Sequence, residues 1–477
     1  MTAYHPHTTD AYRPRFHYSV PTGWMNDPNG LVYDRGWYHL YYQYNPADTR
    51  PGPMHWGHAR SRDFVRWETL PIALRPDALG TIFSGSMADD LRNTSGFGTA
   101  GHYPLVAVFT HHLDLGEGRY RECQSLAYSL DGGLTFDKYA GNPVVTDPNP
   151  DFRDPHVFWH EGSGRWVMAA VAGRKVQFYS SPDLKSWEYL STFSTGNAKP
   201  AGIWECPSFF RARVRGTGET KWVLIVSVND PDGSYSGMEY FVGDFNGRSF
   251  TSETPEDEIR MLDAGVDHYA CAAYHNIPGR TVVVGWMNCW QYGQKIPSDS
   301  FRGSMTVPRE IELMSDGGSY RVRQRPVREL DGCFGPPEES DARAVPLPGS
   351  ALMIELETSL AQSEWRLIGG HSVLGLRIDA LRGLVTLDRS RCGHAELGPA
   401  YTRSFSAGYR PSGGISRFTL LLDTCSLELF SADGTAALTM QVFPDSPFER
   451  LERLSPAEPG KARVSLRQFR EKGAAYD

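Results

Sequence analysis

The chain has 477 residues, of which 40% are hydrophobic and 22% charged, and its formal net charge is −8 at pH 7. This length exceeds one ordinary domain core and predicts two to three domains. The modest negative charge excludes the basic footprint of a nucleic-acid binder, and no apolar run approaches the roughly 20 residues of a membrane helix. We therefore expect neither nucleic acid nor membrane as a partner.

The N-terminal residues have no basic region followed by an apolar one, which predicts a cytoplasmic protein unless a signal peptide precedes the given sequence. The seven cysteines are scattered and include no Cys-x-x-Cys pair. This spacing predicts reduced thiols rather than a zinc or redox site.

The first distinctive segment is Trp24-Met-Asn-Asp-Pro-Asn-Gly30. Asn-Asp-Pro and Asn-Gly are typical of turns, because Pro fixes its own φ and Gly permits a positive φ. The residues on both sides favour strands, so we expect a turn between two strands. A carboxylate on such a turn, beside an indole and an amide, suits a sugar site. The alternative is that Asp27 only caps the turn.

Short runs of Val, Ile, Tyr, Phe and Trp alternate with Gly, Pro, Asn and Asp, which predicts an all-β protein. A weak repeat, Ser-x-Asp followed by an aromatic residue, begins at Ser61, Ser129 and Ser181, and Gly243-Asp244 echoes it. Its period is slightly longer than the roughly 40–50 residues of propeller blades, and about five units fit before residue 330. A run of hairpins in a β-sandwich is the alternative.

The Gly- and Pro-rich residues 331–349 lack periodicity and predict a linker. Beyond them, alternating segments such as 352–357 and 426–430, with a hairpin turn at 431–434, are typical of a β-sandwich. We therefore expect a propeller over residues 1–330, a linker over 331–349 and a sandwich over 350–477.

Two further acid residues lie in Phe152-Arg-Asp154-Pro-His156 and Ile203-Trp-Glu205-Cys-Pro207. The indole and thiol beside Glu205 disfavour its charged form, which suits a general acid, whereas Asp27 beside two Asn residues would stay ionised. Two carboxyl groups in opposed environments are typical of a glycosidase. The alternatives are an ion pair for Asp154 and an ordinary strand position for Glu205. A propeller could bring all three acids to one channel.

The segments 24–30, 153–155 and 204–207 resemble the three signature blocks of glycoside hydrolase family 32, the β-fructofuranosidase family of invertases, exo-inulinases and levanases. Similar blocks extend along nearly the whole chain, at 41–46, 55–59, 83–86, 240–245, 285–290, 302–310, 388–390 and 442–444. The resemblance implies an all-β protein with a five-bladed β-propeller followed by a C-terminal β-sandwich.

The resemblance also implies a role for each acid. Asp27 is the expected nucleophile, Glu205 the acid/base, and Asp154 the residue that holds fructose hydroxyls and stabilises the transition state. Arg153 is expected near the acid/base and counts among the expected substrate-binding residues. The expected substrate-binding residues are Trp24 and Trp290 as aromatic walls, with Asn26, Gln43, Phe83 and Ser84. The partner is a fructoside substrate, and no metal, nucleotide or redox cofactor is required.

The segment Asp48–Trp56 departs from the family pattern, because Pro51 stands where relatives have a Trp that walls the pocket. The resemblance therefore leaves open whether sucrose, inulin or levan is the substrate. A fructosyltransferase with the same covalent intermediate and a non-catalytic fructan-binding protein stay as alternatives. The sandwich either packs on the propeller or mediates a homo-oligomer.

Overall fold

The computed structural model describes residues 10–195, 202–230, 236–256, 258–454 and 461–471. Strands form nearly all of its regular structure, which confirms the all-β prediction. Within these ranges the helices are three short 3-10 turns at Gly293–Lys295, Arg328–Cys333 and Ala395–Leu397. No helix in the described part of the chain is long and apolar enough to cross a membrane.

The strands of the first region end at Pro326. They are β1 (Gly23–Asp34), β2 (Trp37–Asn45), β3 (His55–Ser61), β4 (Trp67–Leu74), β5 (Thr81–Asp89), β6 (Leu105–Gly116), β7 (Arg119–Ser129), β8 (Asp137–Lys138), β9 (Val145–Thr146), β10 (Phe152–His160), β11 (Arg165–Ala172), β12 (Val176–Ser181), β13 (Glu188–Phe193), β14 (Ile203–Arg213), β15 (Thr220–Asn229), β16 (Ser236–Phe245), β17 (Phe250–Ser252), β18 (Tyr269–Ala273), β19 (Thr281–Met287), β20 (Phe301–Arg302), β21 (Ser304–Met305), β22 (Arg309–Asp316) and β23 (Ser319–Pro326).

These strands form five mainly antiparallel sheets that follow one another along the chain, beginning with β1, β5, β10, β14 and β18. Each of these first strands contacts the first strand of the next sheet, and β18 contacts β1, so the five strands close a ring. Sheets arranged radially around such a ring form a β-propeller. The first strands line its centre.

The repeated Ser-x-Asp motif lies in the hairpin between the third and fourth strands of a sheet, which confirms the predicted recurring turn. In three sheets the carboxylates of Asp63, Asp131 and Asp183 accept backbone N–H groups from two residues of the turn. In the fourth sheet the side chain of Asn246, rather than Asp244, accepts these N–H groups. The motif therefore closes hairpins at the outer edge of the ring.

Each of the five central strands carries a β-bulge, in which two residues lie opposite one residue of the neighbouring strand. The bulged pairs are Asn26-Asp27, Phe83-Ser84, Asp154-Pro155, Cys206-Pro207 and Ala270-Cys271. A bulge bends the strand and changes the direction of its side chains, and bulges are common next to active sites. Three of the five bulges carry or adjoin the predicted catalytic residues Asp27, Asp154 and Glu205, and a fourth carries the predicted binding residues Phe83 and Ser84.

The prediction of a turn at residues 24–30 is wrong, because the whole segment lies inside β1. Turns and β-bulges favour the same types of residue, which explains the wrong prediction. Gly30 adopts a positive φ of 53°, and Pro28 follows the bulged pair on a strand that lines the ring. Pro is tolerated at bulges and in strands at the edge of a sheet, where a missing N–H costs little.

The second region is a two-sheet sandwich. Its strands are β24 (Glu338–Ser340), β25 (Ala344–Pro346), β26 (Leu352–Thr358), β27 (Gln362–Gly369), β28 (Ser372–Asp379), β29 (Leu384–Arg391), β30 (Ser404–Gly408), β31 (Ser416–Asp423), β32 (Ser426–Ser431), β33 (Ala437–Gln441), β34 (Arg450–Arg453) and β35 (Ala462–Gln468). The sheet orders are β24-β35-β26-β31-β32-β33 and β25-β34-β27-β28-β29-β30, and one apolar core includes residues of both sheets.

The segment predicted as a linker contributes an edge strand to each sandwich sheet, because β24 pairs with β35 and β25 pairs with β34. Both strands have only three residues, and short edge strands protect a sheet from pairing with other chains. Gly- and Pro-rich composition therefore marks a sheet edge here rather than an unstructured connection.

The sandwich packs on the propeller through buried charged side chains. Arg309 of the propeller donates to Asp263 at 2.8 Å and to Glu428 of the sandwich at 2.5 Å. The N-terminal His17 bonds Asp423 and Glu428, each at 2.8 Å. The two regions are thus joined by ion pairs that are shielded from water.

Candidate active site

Asp27 lies in the bulge of β1 and is held by three side chains. Its Oδ2 accepts a hydrogen bond from Ser84 Oγ at 2.6 Å and one from Cys206 Sγ at 3.2 Å. Its Oδ1 accepts one from Asn26 Nδ2 at 3.1 Å. These donors come from three different strands, so the ring itself fixes the orientation of the carboxylate.

Trp24 orients Asn26, one of the donors to Asp27, because its Nε1 donates to Asn26 Oδ1 at 2.8 Å. The prediction that Trp24 is a wall of the sugar pocket is wrong, because its side chain is completely buried. Trp290 is half-buried and stacks on Trp24 with ring centroids 6.0 Å apart. Trp290 is therefore the partly exposed ring of this pair, and Trp24 orients Asn26.

Asp154 lies in the bulge of β10 with a positive φ of 59°. Its N–H donates to Thr110 Oγ1 at 2.9 Å, and its Oδ2 accepts the backbone N–H of Cys206 at 2.8 Å. Burial raises the pKa of Asp154 to about 7, with Arg153 opposing the shift and the nearby carboxyl groups of Asp27 and Glu205 adding to it. The neutral form of Asp154 is therefore favoured far more than that of an exposed aspartic acid.

Glu205 lies just before the bulge of β14 and faces polar groups. Its Oε2 accepts a hydrogen bond from Tyr269 Oη at 2.6 Å, and its Oε1 accepts one from Arg153 Nη2 at 3.3 Å. The predicted apolar setting is wrong. Successive residues of a strand point to opposite faces, and Trp204 lies fully buried in the core behind the strand.

Cys206 contacts two carboxylates, those of Asp27 and Asp154, that lie far apart in the sequence. Its Sγ lies 3.2 Å from Asp27 Oδ2 and 3.6 Å from Asp154 Oδ2, and its backbone has a positive φ of 47°. Non-glycine residues with positive φ are held there by their surroundings and are frequent at functional sites. From the sequence alone, this thiol was expected only to make the surroundings of Glu205 apolar.

Arg153 is the cation of the site. Its guanidinium lies 2.9 Å from Asp151, 3.2 Å from Glu122, 3.3 Å from Glu205 and 3.9 Å from Asp154. The sequence predicted Arg153 beside the acid/base, and the structure brings them together. Glu122 and Tyr269 were not predicted, because their contacts with the site join strands of different sheets. Asp151 was not predicted either, although it lies only two residues before Arg153.

Gln43 and Phe83 complete the predicted set. Gln43 is buried opposite the Asn26-Asp27 bulge, and its Nε2 has no hydrogen-bond partner among the described residues. Phe83 is half-buried and stacks on His112 with ring centroids 4.2 Å apart. Phe83 and Trp290 pack against one apolar cluster that contains Trp24. An unused donor and two half-exposed rings next to carboxylates are typical of a sugar site.

Pro51 lies on an exposed loop between β2 and β3. Asn45 holds this loop through a hydrogen bond to the carbonyl of Arg50 at 2.8 Å, and Arg302 donates to the carbonyl of Thr49 at 3.4 Å. The loop leads into Met54, which packs in the cluster with Trp24. In the described ranges, no group of three His, Cys, Asp or Glu side chains is arranged to hold a metal ion.

Comparison with known proteins decides the family. The family model "Glycosyl hydrolases family 32 N-terminal domain" matches residues 17–326, and "Glycosyl hydrolases family 32 C terminal" matches residues 337–468. The chain belongs to glycosyl hydrolase family 32. This family 32 chain is therefore a glycoside hydrolase, and its family confirms the expected propeller and sandwich.

Several relatives resemble this family 32 chain over most of its length. The levanase of Bacillus subtilis is 39% identical over 92% of this chain and 68% of its own length. The extracellular exo-inulinase of Aspergillus ficuum is 34% identical over 91% of this chain and 90% of its own. The exo-inulinase structure from Aspergillus awamori superposes with a TM-score of 0.87, at 32% identity over 96% of this chain and 98% of that one.

Proposed function

We propose that this enzyme is a retaining, exo-acting β-fructofuranosidase that releases terminal β-D-fructosyl units from sucrose or from fructans such as inulin and levan. The main support for this proposal is that the three acids lie close together. Cys206 contacts both Asp27 and Asp154, and Arg153 contacts both Asp154 and Glu205. Relatives named levanase, exo-inulinase and invertase support this substrate class. We assign catalysis to residues 1–330 and support to the sandwich of 350–477.

In the first step Asp27 attacks C2 of the terminal fructosyl unit, and the bond from C2 to the leaving oxygen breaks. Glu205 gives its proton to that oxygen, so the aglycone leaves as an alcohol. In the second step Glu205 takes a proton from water, which attacks C2 and releases Asp27. This double displacement retains the configuration at C2 and requires carboxyl groups about 5–5.5 Å apart.

Asp27 suits the nucleophile because Ser84, Asn26 and Cys206 orient it and each donates a hydrogen bond to its carboxylate. Asp154 suits the role of holding fructose hydroxyls, since a carboxyl group with a pKa near 7 can donate as well as accept. We assign hydroxyl contacts to Asn26, Gln43 and Ser84 and ring contacts to Phe83 and Trp290.

The cellular location and the oligomeric state stay predictions. None of the seven cysteines, all of which lie in the described ranges, forms a disulfide bond, as is usual in a reducing compartment. The exo-inulinases of Aspergillus ficuum and Aspergillus niger are named extracellular. The sandwich packs on the propeller of its own chain through Arg309 and Glu428, which leaves a homo-oligomer unassigned.

One assay tests the proposal. The protein is incubated separately with sucrose, inulin and levan, and the products are resolved as glucose, fructose and oligosaccharides. Release of free fructose from at least one of these substrates is the expected result. Lengthened oligosaccharides would identify a fructosyltransferase instead. No turnover of any fructoside by the folded protein would contradict both enzyme functions.

The loop at Pro51 gives a prediction about substrate choice. An indole buries about 150–250 Å² of contact surface, so Pro51→Trp adds a wall beside the pocket. We expect the ratio of kcat/KM for sucrose to that for inulin to change roughly tenfold, because one hydrophobic contact contributes on the order of 10–200-fold in discrimination. An unchanged ratio would remove this loop from substrate selection.

A further inference from the structure

Glu122 is a buried carboxylate that the reaction steps do not use. Its side chain is 1% exposed, and it contacts two donors. Its Oε1 lies 3.0 Å from His112 Nδ1, and its Oε2 lies 3.2 Å from Arg153 Nη1. Since a carboxylate only accepts, His112 donates its Nδ1 proton to Glu122. Glu122 is thus shared between an imidazole and the guanidinium that bonds Glu205.

The strand pair β6–β7 supports the segment that carries Arg153 and Asp154. Glu122 lies directly opposite His112, and Gln124 lies directly opposite Thr110. The successive contacts are Tyr120 Oη to Asp151 at 2.6 Å, Gln124 Nε2 to the carbonyl of Phe152 at 2.9 Å, Glu122 to Arg153, and Thr110 Oγ1 to the N–H of Asp154. The second sheet of the ring therefore fixes the catalytic segment of the third, residue by residue.

Arg153 divides its hydrogen bonds between two sides. Nη1 donates to Glu122 and Asp151, and Nη2 donates to Glu205. A guanidinium that is 10% exposed interacts strongly with every nearby charge, because water screens it little. Negative charge on the Nη1 side therefore reduces the positive potential that Arg153 exerts on Glu205.

We propose that Glu122 is a positioning residue for the acid/base. Glu122 holds the Nη1 side of Arg153 and offsets its charge, so that Glu205 keeps the proton that it must give to the leaving oxygen. His112 weakens the effect of Glu122 on Arg153, because it donates a hydrogen bond to the same carboxylate. The inference rests on the proposed function of Glu205, and it adds a residue from the second sheet to the machinery of the acid step.

The charged and titratable groups around the two carboxyl groups fix the sign of the effect. Glu205 faces Arg153 and Tyr269, with Asp27, Asp154 and Cys206 close by. Glu122 faces His112 and Arg153, with Tyr120 and Cys123 close by. Removing the charge of Glu122 leaves Arg153 more positive toward Glu205, which favours the ionised form of Glu205. The enzyme should then lose its acid at a lower pH.

Glu122→Gln tests this directly, because Gln has the same shape and no charge. We expect the alkaline limb of kcat/KM on sucrose to move about one pH unit lower in a variant that stays folded. An activated fructoside whose leaving group needs no proton should show little change. Glu161→Gln is the matched control, since Glu161 is exposed and pairs with Arg92 in the same region, and its profile should equal that of the wild type.

His112→Phe tests the opposite sign and keeps a flat ring on Phe83. Without its donor at His112, Glu122 turns fully to Arg153, so the alkaline limb should move about half a unit higher. The inference would be overturned if the pH profile of kcat/KM for Glu122→Gln matched that of the wild type, or if its activity fell equally at all pH values. It would also be overturned if the alkaline limbs of the two variants moved in the same direction.

The same charge change can be read without turnover. NMR titration of 13C-labelled glutamate, with the Glu205 signal assigned through Glu205→Gln, should show Glu205 ionising at lower pH in Glu122→Gln. An unshifted Glu205 signal would overturn the positioning role even if no fructoside were hydrolysed. Absence of wild-type activity with a shifted signal would instead contradict the proposed function alone.

Discussion

Two buried clusters of charge in this protein use the same residue types in opposite ways. The cluster at the centre of the ring has four carboxyl groups around one guanidinium, that of Arg153, and a fifth that is linked to them through Cys206. The carboxyl groups belong to Asp27, Glu122, Asp151, Asp154 and Glu205. Burial raises the pKa of Asp154, and the neighbouring carboxyl groups of Asp27 and Glu205 add to the shift against the opposing charge of Arg153.

The cluster between the propeller and the sandwich is close to balanced. The carboxylates of Asp263, Asp423 and Glu428 face Arg309 and His17, and all five side chains are fully buried. Burial lowers the pKa of His17, but hydrogen bonds and charges from Asp423 and Glu428 outweigh it and raise the pKa to about 9. His17 is therefore protonated at neutral pH, and the cluster holds two positive charges against three negative ones.

The two clusters therefore contribute differently: the ring cluster contributes to catalysis, and the interface cluster contributes to the stability of the fold. Buried charge with matched partners joins the two regions, whereas unmatched buried carboxyl groups stay available for proton transfer and nucleophilic attack. Substitutions in the ring cluster should therefore impair catalysis without destabilising the fold. Substitutions in the interface cluster should do the reverse.

The largest expected effect is on catalysis. Asp27→Asn should lower kcat on any fructoside by roughly 10⁴-fold or more, because the covalent intermediate cannot form without its nucleophile. Its melting temperature should stay equal or rise, since Asp154 loses a like-charge neighbour. Steady-state kinetics and calorimetry measure the two effects. A strongly destabilised Asp27→Asn variant would remove the contrast between the clusters.

The next effect is on stability. Arg309→Met leaves Asp263 and Glu428 without their guanidinium and should lower the free energy of unfolding by about 3–5 kcal/mol. Arg417→Met is the matched control, because Arg417 pairs with Glu357 at an exposed site and should contribute only about 0.2–1 kcal/mol. Denaturant unfolding compares them, and equal losses would contradict the role of burial.

Asp154→Asn should stabilise the protein at neutral and alkaline pH. The pKa of Asp154 is raised from 3.8 to about 7, so the folded state loses stability as the pH rises through this range. Removing the carboxyl group should raise the free energy of unfolding by up to roughly 4 kcal/mol at pH 8, with no gain at pH 3. Unfolding curves at both pH values test this, and a pH-independent change would refute the assignment.

The smallest effect concerns His17. Its pKa is raised from 6.5 to about 9, so it contributes stability that is fully present below pH 6.5 and is lost as the pH rises through 9. His17→Gln should remove up to about 3 kcal/mol at pH 6 and little at pH 10. Melting temperatures across this pH range measure the difference. Parallel curves for the two proteins would show that His17 is not charged.

Sequence could predict the features that depend on local pattern. Alternating apolar residues indicated the all-β class, and three short motifs indicated Asp27, Asp154 and Glu205. It could not predict Glu122 or Tyr269, since each joins the site by a contact between strands of different sheets. It misjudged Glu205 and Trp24 because neighbours in a strand point to opposite faces. The five bulges were also missed, since bulges and turns share residue chemistry.

One measurement tests the central claim that the unbalanced ring cluster works by covalent catalysis at Asp27. Glu205→Gln is mixed with β-D-fructosyl fluoride, whose leaving group needs no acid, and the reaction is quenched and analysed by peptide mass spectrometry. We predict a fructosyl adduct on the peptide that carries Asp27, which accumulates because no base activates water. An adduct on another residue, or turnover with inverted configuration and no adduct, would contradict the account.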